Sequence, residues 1–118
     1  MNFIDKEHEN FYNKKIGQAK QKDRYQKALI YLLSSNRETR QYFEEIYNIQ
    51  KNEISLESLK RPWQTGTSIN ICRLAFNLFG DITSDEPEKG SSYLYATSEI
   101  MKNIELSCII EALKIRFS

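Results

Sequence analysis

Three features of the 118-residue chain predict a single all-α domain. Apolar residues recur at helical spacing in several stretches, and no stretch keeps a strand period for more than a few residues. Two prolines and four glycines are too few for a turn-rich β fold or a disordered chain. Within residues 62–80 lies a helix marked at both ends and apolar nearly all round. The expectation is one compact domain, residues 1–118, of five or six helices around a buried central helix at about 67–79.

The central stretch sets the rest. Pro62 cannot continue a helix arriving from Leu56–Arg61, so that short helix, with Ser55 as its cap, stops there. Thr65, Gly66, Thr67 and Ser68 make a turn cluster with capping hydroxyls. Gly80 follows Phe79 as a natural residue in which to close the helix. On a wheel of about 100° per residue, Asn70, Arg73 and Asn77 share a wedge of about 60°. Ile69, Ile71, Cys72, Leu74, Ala75, Phe76, Leu78 and Phe79 cover nearly all the remainder. Such a helix is packed on several sides, with one polar seam.

Before it, Asp5 is placed to cap a helix running to about Ala19 or Lys20, with Glu7 and Glu9 near its positive end. Ile4, His8, Phe11, Tyr12 and Ile16 form its inner face. A lysine-rich connection follows. Asp23 caps a second helix, in which Tyr25, Ala28, Leu29, Leu32 and Leu33 fit the amphipathic template, and which ends near Ser34. Ser35 with Glu38 forms a capping-box pattern for a third helix to about Asn48, its apolar side Tyr42, Phe43, Ile46 and Tyr47.

After Gly80, residues 81–92 have no period and read as a loop. Tyr93–Tyr95 is expected to return to the core in extended form. Ser98 caps a single turn through Lys102, and Asn103 caps a last helix to about Phe117. This helix shows two apolar faces. Leu106, Ile109, Ile110, Leu113 and Phe117 form one; Ile104, Cys108 and Ile115 form the other. Two faces need two partners, inside the domain or on another chain.

Composition excludes more than it assigns. The chain is 40% hydrophobic and 28% charged, with a net charge of +1, which points neither to nucleic acid nor to membrane. Residues 1–27 carry seven Lys/Arg against four Asp/Glu, and residues 63–118 carry five against seven, a mild polarity. Asp5, Lys6 and Glu7 interrupt any leader-like apolar run, and no segment reaches the ~18 apolar residues of a membrane span. The expectation is a soluble, cytoplasmic protein. Cys72 and Cys108 sit in apolar helical patterns and read as buried, reduced thiols.

Catalytic sets are missing. His8 is the only histidine, so no histidine-rich metal cluster is expected. It reads as a half-buried helix residue. No Cys-x-x-Cys or His-Glu-x-x-His spacing points to zinc, and Gly66 alone makes no phosphate loop. Asp81, Asp85, Glu86 and Glu88 lack the order of a calcium loop. No metal and no cofactor is expected. A pocket enzyme would need His8, Trp63 and Arg73 to converge.

Trp63 is expected as a lid over the central helix, its indole N–H finding a partner. Its functional alternative is an aromatic anchor for a partner, which makes Trp63, Gln64, Thr65, Asn70, Arg73 and Asn77 the candidate binding residues. Residues 55–80 also raise a helix-turn-helix reading, in which residues 65–77 and the lysines near 14–27 contact nucleic acid. The neutral charge weakens it.

Phe3-Ile4-Asp5-Lys6-Glu7-His8-Glu9-Asn10-Phe11, then Trp63-Gln64-Thr65-Gly66-Thr67-Ser68 with Arg73-Leu74-Ala75-Phe76-Asn77-Leu78-Phe79, and finally Glu111-Ala112-Leu113-Lys114-Ile115-Arg116-Phe117 resemble a family of small uncharacterised proteins of Firmicutes, their phages and mobile elements. The segment around Tyr93–Ser107 matches that family less well. The resemblance implies no reaction, cofactor or ligand, only an intracellular setting in which small accessory proteins bind host proteins. The functional expectation is therefore a non-enzymatic protein-binding module that modulates a host defence or regulatory protein. Thirteen tyrosines and phenylalanines exceed what a small core hides. Homodimerisation through Ile104, Cys108 and Ile115 is the simplest use of that surplus. A nucleic-acid-binding regulator is the alternative.

Overall fold

The computed structural model describes residues 1–20 and 22–118. Among these residues the chain forms seven α-helices, several single 3-10 turns and one two-stranded hairpin, which is the all-α class the sequence predicts. Helix α1 (Lys6–Gln18) begins where Asp5 accepts the His8 amide at 2.9 Å. In the connection that follows, Gln21 lies outside the described residues. Helix α2 (Arg24–Leu33) begins where Asp23 accepts the Gln26 amide at 2.8 Å. Each cap satisfies a donor that the first turn leaves orphaned.

The third expected helix breaks up. Asn36, not Ser35, is its cap, and Ser35 instead donates its hydroxyl back to the Leu32 carbonyl. Helix α3 (Arg37–Gln41) stops at Tyr42, and α4 (Phe43–Ile46) is a single turn. The chain then turns into a hairpin rather than running helically to Asn48. Strand β1 (Tyr47–Asn48) pairs antiparallel with β2 (Glu53–Ile54), Tyr47 opposite Ile54. Asn52 supplies the left-handed residue of the connection at φ 54°. The Tyr47 hydroxyl is fixed between Gln26, which donates to it, and Asn52, which accepts from it. A buried phenol with both hydrogen bonds made outweighs the weak local preference for helix.

Leu56–Lys60 is a 3-10 helix, and Pro62 follows it as expected. Helix α5 (Gly66–Gly80) is the long central helix. Its closing residue is Asp81 at φ 54°, with Gly80 still helical, so the left-handed position falls one residue later than the glycine implies. Tyr93–Tyr95 is a 3-10 turn with Ser92 accepting the Leu94 amide, not an extended return. Helix α6 (Thr97–Ile100) follows Ala96, so Ser98 lies inside it. Helix α7 (Leu106–Phe117) begins after Glu105; Asn103 is left-handed at φ 63° and does not cap it.

The centre of the domain is a pair of helices. Residues 28–33 of α2 are at most 1% exposed, and α2 packs on α1, α5 and α7. In α5, Cys72, Ala75 and Phe76 are fully buried, and Ile71, Leu74 and Leu78 nearly so. The expectation of a buried α5 holds, but α2 is sequestered just as fully.

Candidate functional site

The start of α5 is built from its own side chains. Thr65 accepts the Ser68 amide at 3.0 Å, and Ser68 accepts the Thr65 amide at 2.7 Å, a reciprocal box. The Ser68 hydroxyl also donates to the Gln64 side-chain carbonyl at 2.6 Å. The Gln64 amide group turns back to the Ser58 carbonyl at 3.2 Å. Gln64 thus ties the preceding 3-10 turn to the helix it precedes. Trp63 stacks flat on Tyr42, ring centres 4.5 Å apart and planes within 8°. It covers the core as expected, but its buried indole N–H has no partner among the described residues, which corrects that part of the expectation. A donor shut away from water in this manner costs on the order of 1–3 kcal/mol.

The polar seam of α5 forms a second group. Asn70 donates to the Lys102 carbonyl at 2.9 Å, and Asn77 donates to the Ile82 carbonyl at 3.0 Å. Arg73 grips Asp85 through two parallel hydrogen bonds of 3.1 and 2.7 Å. The Tyr95 hydroxyl donates to the same carboxylate at 2.8 Å. Burial by itself would raise the Asp85 carboxyl, but the hydrogen bonds from Arg73 and Tyr95 outweigh it and hold the group below its ordinary range. Burial, reinforced by Asp85, pushes the Tyr95 phenol up. All three seam residues are therefore spent on fastening the segment 82–102 to α5.

His8 is fully buried, deeper than expected for a half-buried helix histidine. Its Nδ1 accepts the Ile4 amide at 3.1 Å, and Nε2 lies 2.9 Å from the Tyr31 carbonyl. Those partners require the neutral ring with its proton on Nε2. Burial lowers its pKa, against the pull of the Tyr31 carbonyl and Asp5. Tyr31 in turn donates to the Asn2 carbonyl at 2.6 Å and lies near Cys108 Sγ at 3.8 Å. Among the described residues His8, Trp63 and Arg73 share no partner: His8 meets Ile4 and Tyr31, Trp63 stacks on Tyr42, and Arg73 holds Asp85. Burial pushes the Cys72 thiol up to about 12 and raises Cys108 as well, so neither is a ready thiolate.

Helix α7 departs from the two-faced expectation. Its buried seam is Cys108, Ile109 and Ala112, drawn from both apolar faces. Cys108 is 1% exposed, and Ile104 and Ile115 are packed against the core, so the face expected to self-associate lies against the domain. The outward stripe is instead Leu106, Ile110 and Phe117, exposed by 69%, 44% and 63%. At one end of the stripe, the Arg116 guanidinium lies 3.7 Å from the Tyr25 ring centre and 4.6 Å from that of Phe117. It also donates to the Leu78 carbonyl at 2.8 Å, tying α7 to α5.

The sequence model of a family of unknown function, DUF6075, matches residues 1–118. The chain belongs to that family. No curated protein and no solved structure matches it.

The candidate binding residues therefore fall into places with different standing. Trp63, Gln64 and Thr65 build the start of α5, and Asn70, Arg73 and Asn77 hold the segment that follows it. The outward stripe was not singled out by sequence reasoning. Leu106, Ile110 and Phe117 do share a face on the helical wheel, but so do residues of an inward face. No helix among the described residues is long and apolar enough to cross a membrane, and no three His, Cys, Asp or Glu side chains gather there as a metal site requires.

Proposed function

We propose that the protein is a non-enzymatic, protein-binding module whose working surface is the outward stripe of α7. One observation carries the reading. Leu106, Ile110 and Phe117 stand in water along a helix of 12 residues, while the polar side chains of α5 are occupied inside the chain. Three large apolar residues exposed in a row favour a protein partner over a small polar ligand. The spacing i, i+4, i+11 suits another helix laid along the stripe. In the setting that the sequence resemblance implies, the partner is a host protein and the module modulates it.

The test is affinity capture from host cells with the wild-type chain and with Ile110→Asp. Recovery of a defined protein by the wild type, its loss with Ile110→Asp, and retention with Trp63→Phe support the reading. Equal recovery by all three places the working surface elsewhere. The nucleic-acid alternative predicts a salt-dependent gel shift that Ile110→Asp leaves intact, with the lysines near 14–27 carrying the effect.

A further inference from the structure

A cleft of about 250 Å³ opens where four parts of the chain meet: the N-terminal arm, the α2–α3 junction, the start of α5 and the start of α7. Its deepest lining is apolar, with Ile71 and Cys108 only 4% and 1% exposed. Ile4 and Ile104 stand beside them. At roughly 30 Å³ per liquid water, that volume equals about eight waters. It falls below the roughly 300 Å³ at which pockets for drug-sized ligands begin, so the occupant is small. None of Leu106, Ile110 and Phe117 lines the cleft, which therefore stands apart from the outward stripe of α7.

The polar lining divides in two. Ser35 donates to the Leu32 carbonyl and Asn36 accepts the Thr39 amide, so both already serve the chain. The side chains of Thr67, Asn103 and Glu105 make no hydrogen bond or ion pair among the described residues. Asn103 Nδ2 lies against the start of α5, 3.7 Å from where a Cβ on Gly66 would stand. Glu105 is the one charged residue of the lining; no Lys, Arg or His joins it. Burial first, and then the charges of Glu105 and Asp5, raise the Cys108 thiol, so two carboxylates act on the floor of the cleft. The positive end of α7 would by itself favour an anion, but Glu105 already stands there. We propose that the cleft binds a small primary amine with a compact aliphatic tail. Such an amine is an ammonium at neutral pH, with three N–H donors for the three open acceptors on Glu105, Thr67 and Asn103. Asn103 and Glu105 are exposed, so the charge stays at the wet rim while the tail lies on Ile71, Ile104 and Cys108.

Isopentylamine, isopentyl alcohol and isovalerate share one tail and differ in the charge of the head, which makes them the probes. Each is titrated at neutral pH into the full, isotope-labelled chain, and the amide resonances of Thr67, Ser107 and Cys108 are followed. The amine is expected to saturate these shifts with a dissociation constant on the order of 1 mM, the range open to so few atoms. The alcohol is expected to bind more weakly and the acid not at all. Glu105→Gln keeps the size and removes the charge. It should weaken the amine about fivefold, to the level of the alcohol, as befits an exposed charge pair. Thr67→Met fills the cleft and should abolish saturable binding of both, with unchanged far-ultraviolet circular dichroism. No saturable shift with any probe overturns the site. An acid that binds as tightly as the amine overturns the assignment of the ligand. So does amine binding that Glu105→Gln leaves unchanged, or that persists in a folded Thr67→Met.

Discussion

Helices α5 and α7 look alike in composition and end in opposite situations. Each is rich in apolar residues, but the polar seam of α5 is one narrow wedge, whereas the polar residues of α7 stand on two sides, Lys114 and Glu111 on one and Arg116 on the other. In α5 every one of those polar residues finds a partner in the same chain, and the apolar residues around them are covered. In α7 the inner seam is covered, but Leu106, Ile110 and Phe117 are not. The difference lies in what the chain does next. After α5 come residues 81–102, which fold back and close over the seam. Nothing within the described chain folds back over α7. An apolar helix face is closed only where another segment packs against it: residues 81–102 do so for the seam of α5, and among the described residues none does so for Leu106, Ile110 and Phe117.

The sharpest way to break this comparison is to truncate one large side chain on each helix. Phe76→Ala in α5 removes a fully buried ring. It should cost about 3–5 kcal/mol, the loss of transfer energy plus the cavity left behind. Ile110→Ala in α7, measured at concentrations too low for association, should change stability by no more than about 0.5 kcal/mol. Denaturant titration of both variants measures the pair. Comparable losses would mean that Ile110 is packed, and the contrast would be gone.

A smaller effect sharpens the α5 side. Arg73→Ala leaves Asp85 with the Tyr95 hydroxyl alone and should cost about 1–3 kcal/mol. The side chains of the pair are 11% and 25% exposed, so part of the interaction is screened by water and the lower half of that range is expected. The loss should be local. Amides of residues 84–95 should exchange with solvent faster while those of α2 keep their protection. Uniform loss of protection across the domain would show that the seam does more than fasten that segment. The Asp85 carboxyl, held below its ordinary range, also makes this contribution pH-dependent. It is present above the unfolded carboxylate value of about 3.9 and disappears as pH falls through the lower folded value. Arg73→Ala should flatten that acid limb.

Much of the fold was legible because its determinants are local. Asp5, Asp23 and Thr65 cap the helices that the pattern assigns to them, each by a hydrogen bond to an amide three residues on. The apolar period of α2 and the nearly continuous apolar surface of α5 need no knowledge of neighbours. What was not legible depends on distant partners. Tyr47 leaves the expected helix because Gln26 and Asn52 hold its hydroxyl, and Gln26 is 21 residues away. The polar seam of α5 looked like a binding site because the segment that consumes it had no readable period. For α7 the wheel shows two apolar faces, but not which one the domain covers. That is set by the packing of α2 and by the Arg116 bond to Leu78, 38 residues apart in sequence.

The smallest expected effect concerns the covered side of α7, where His8 acts through Tyr31. His8 fixes the N-terminal arm by accepting from Ile4, and Tyr31, which it contacts, reaches Cys108 of α7. A proton added to Nδ1 would replace that acceptor with a donor facing the Ile4 N–H, and burial also disfavours the charge. The folded-state pKa therefore lies below the ordinary 6.5, and the unfolded chain takes up the proton first. Stability from the neutral ring is fully present above pH 6.5. It falls as pH drops through the window below that value, and levels off once the folded form is protonated too. His8 is the only histidine, so the ordinary histidine window belongs to it alone. His8→Gln, which keeps one acceptor and one donor but does not titrate, should lose some stability at neutral pH and show no such slope between pH 5 and 7. Denaturation midpoints of the two chains across that range decide it. Parallel curves would mean that the His8 proton does not govern the N-terminal arm, and that the inner face of α7 is closed by apolar contact alone.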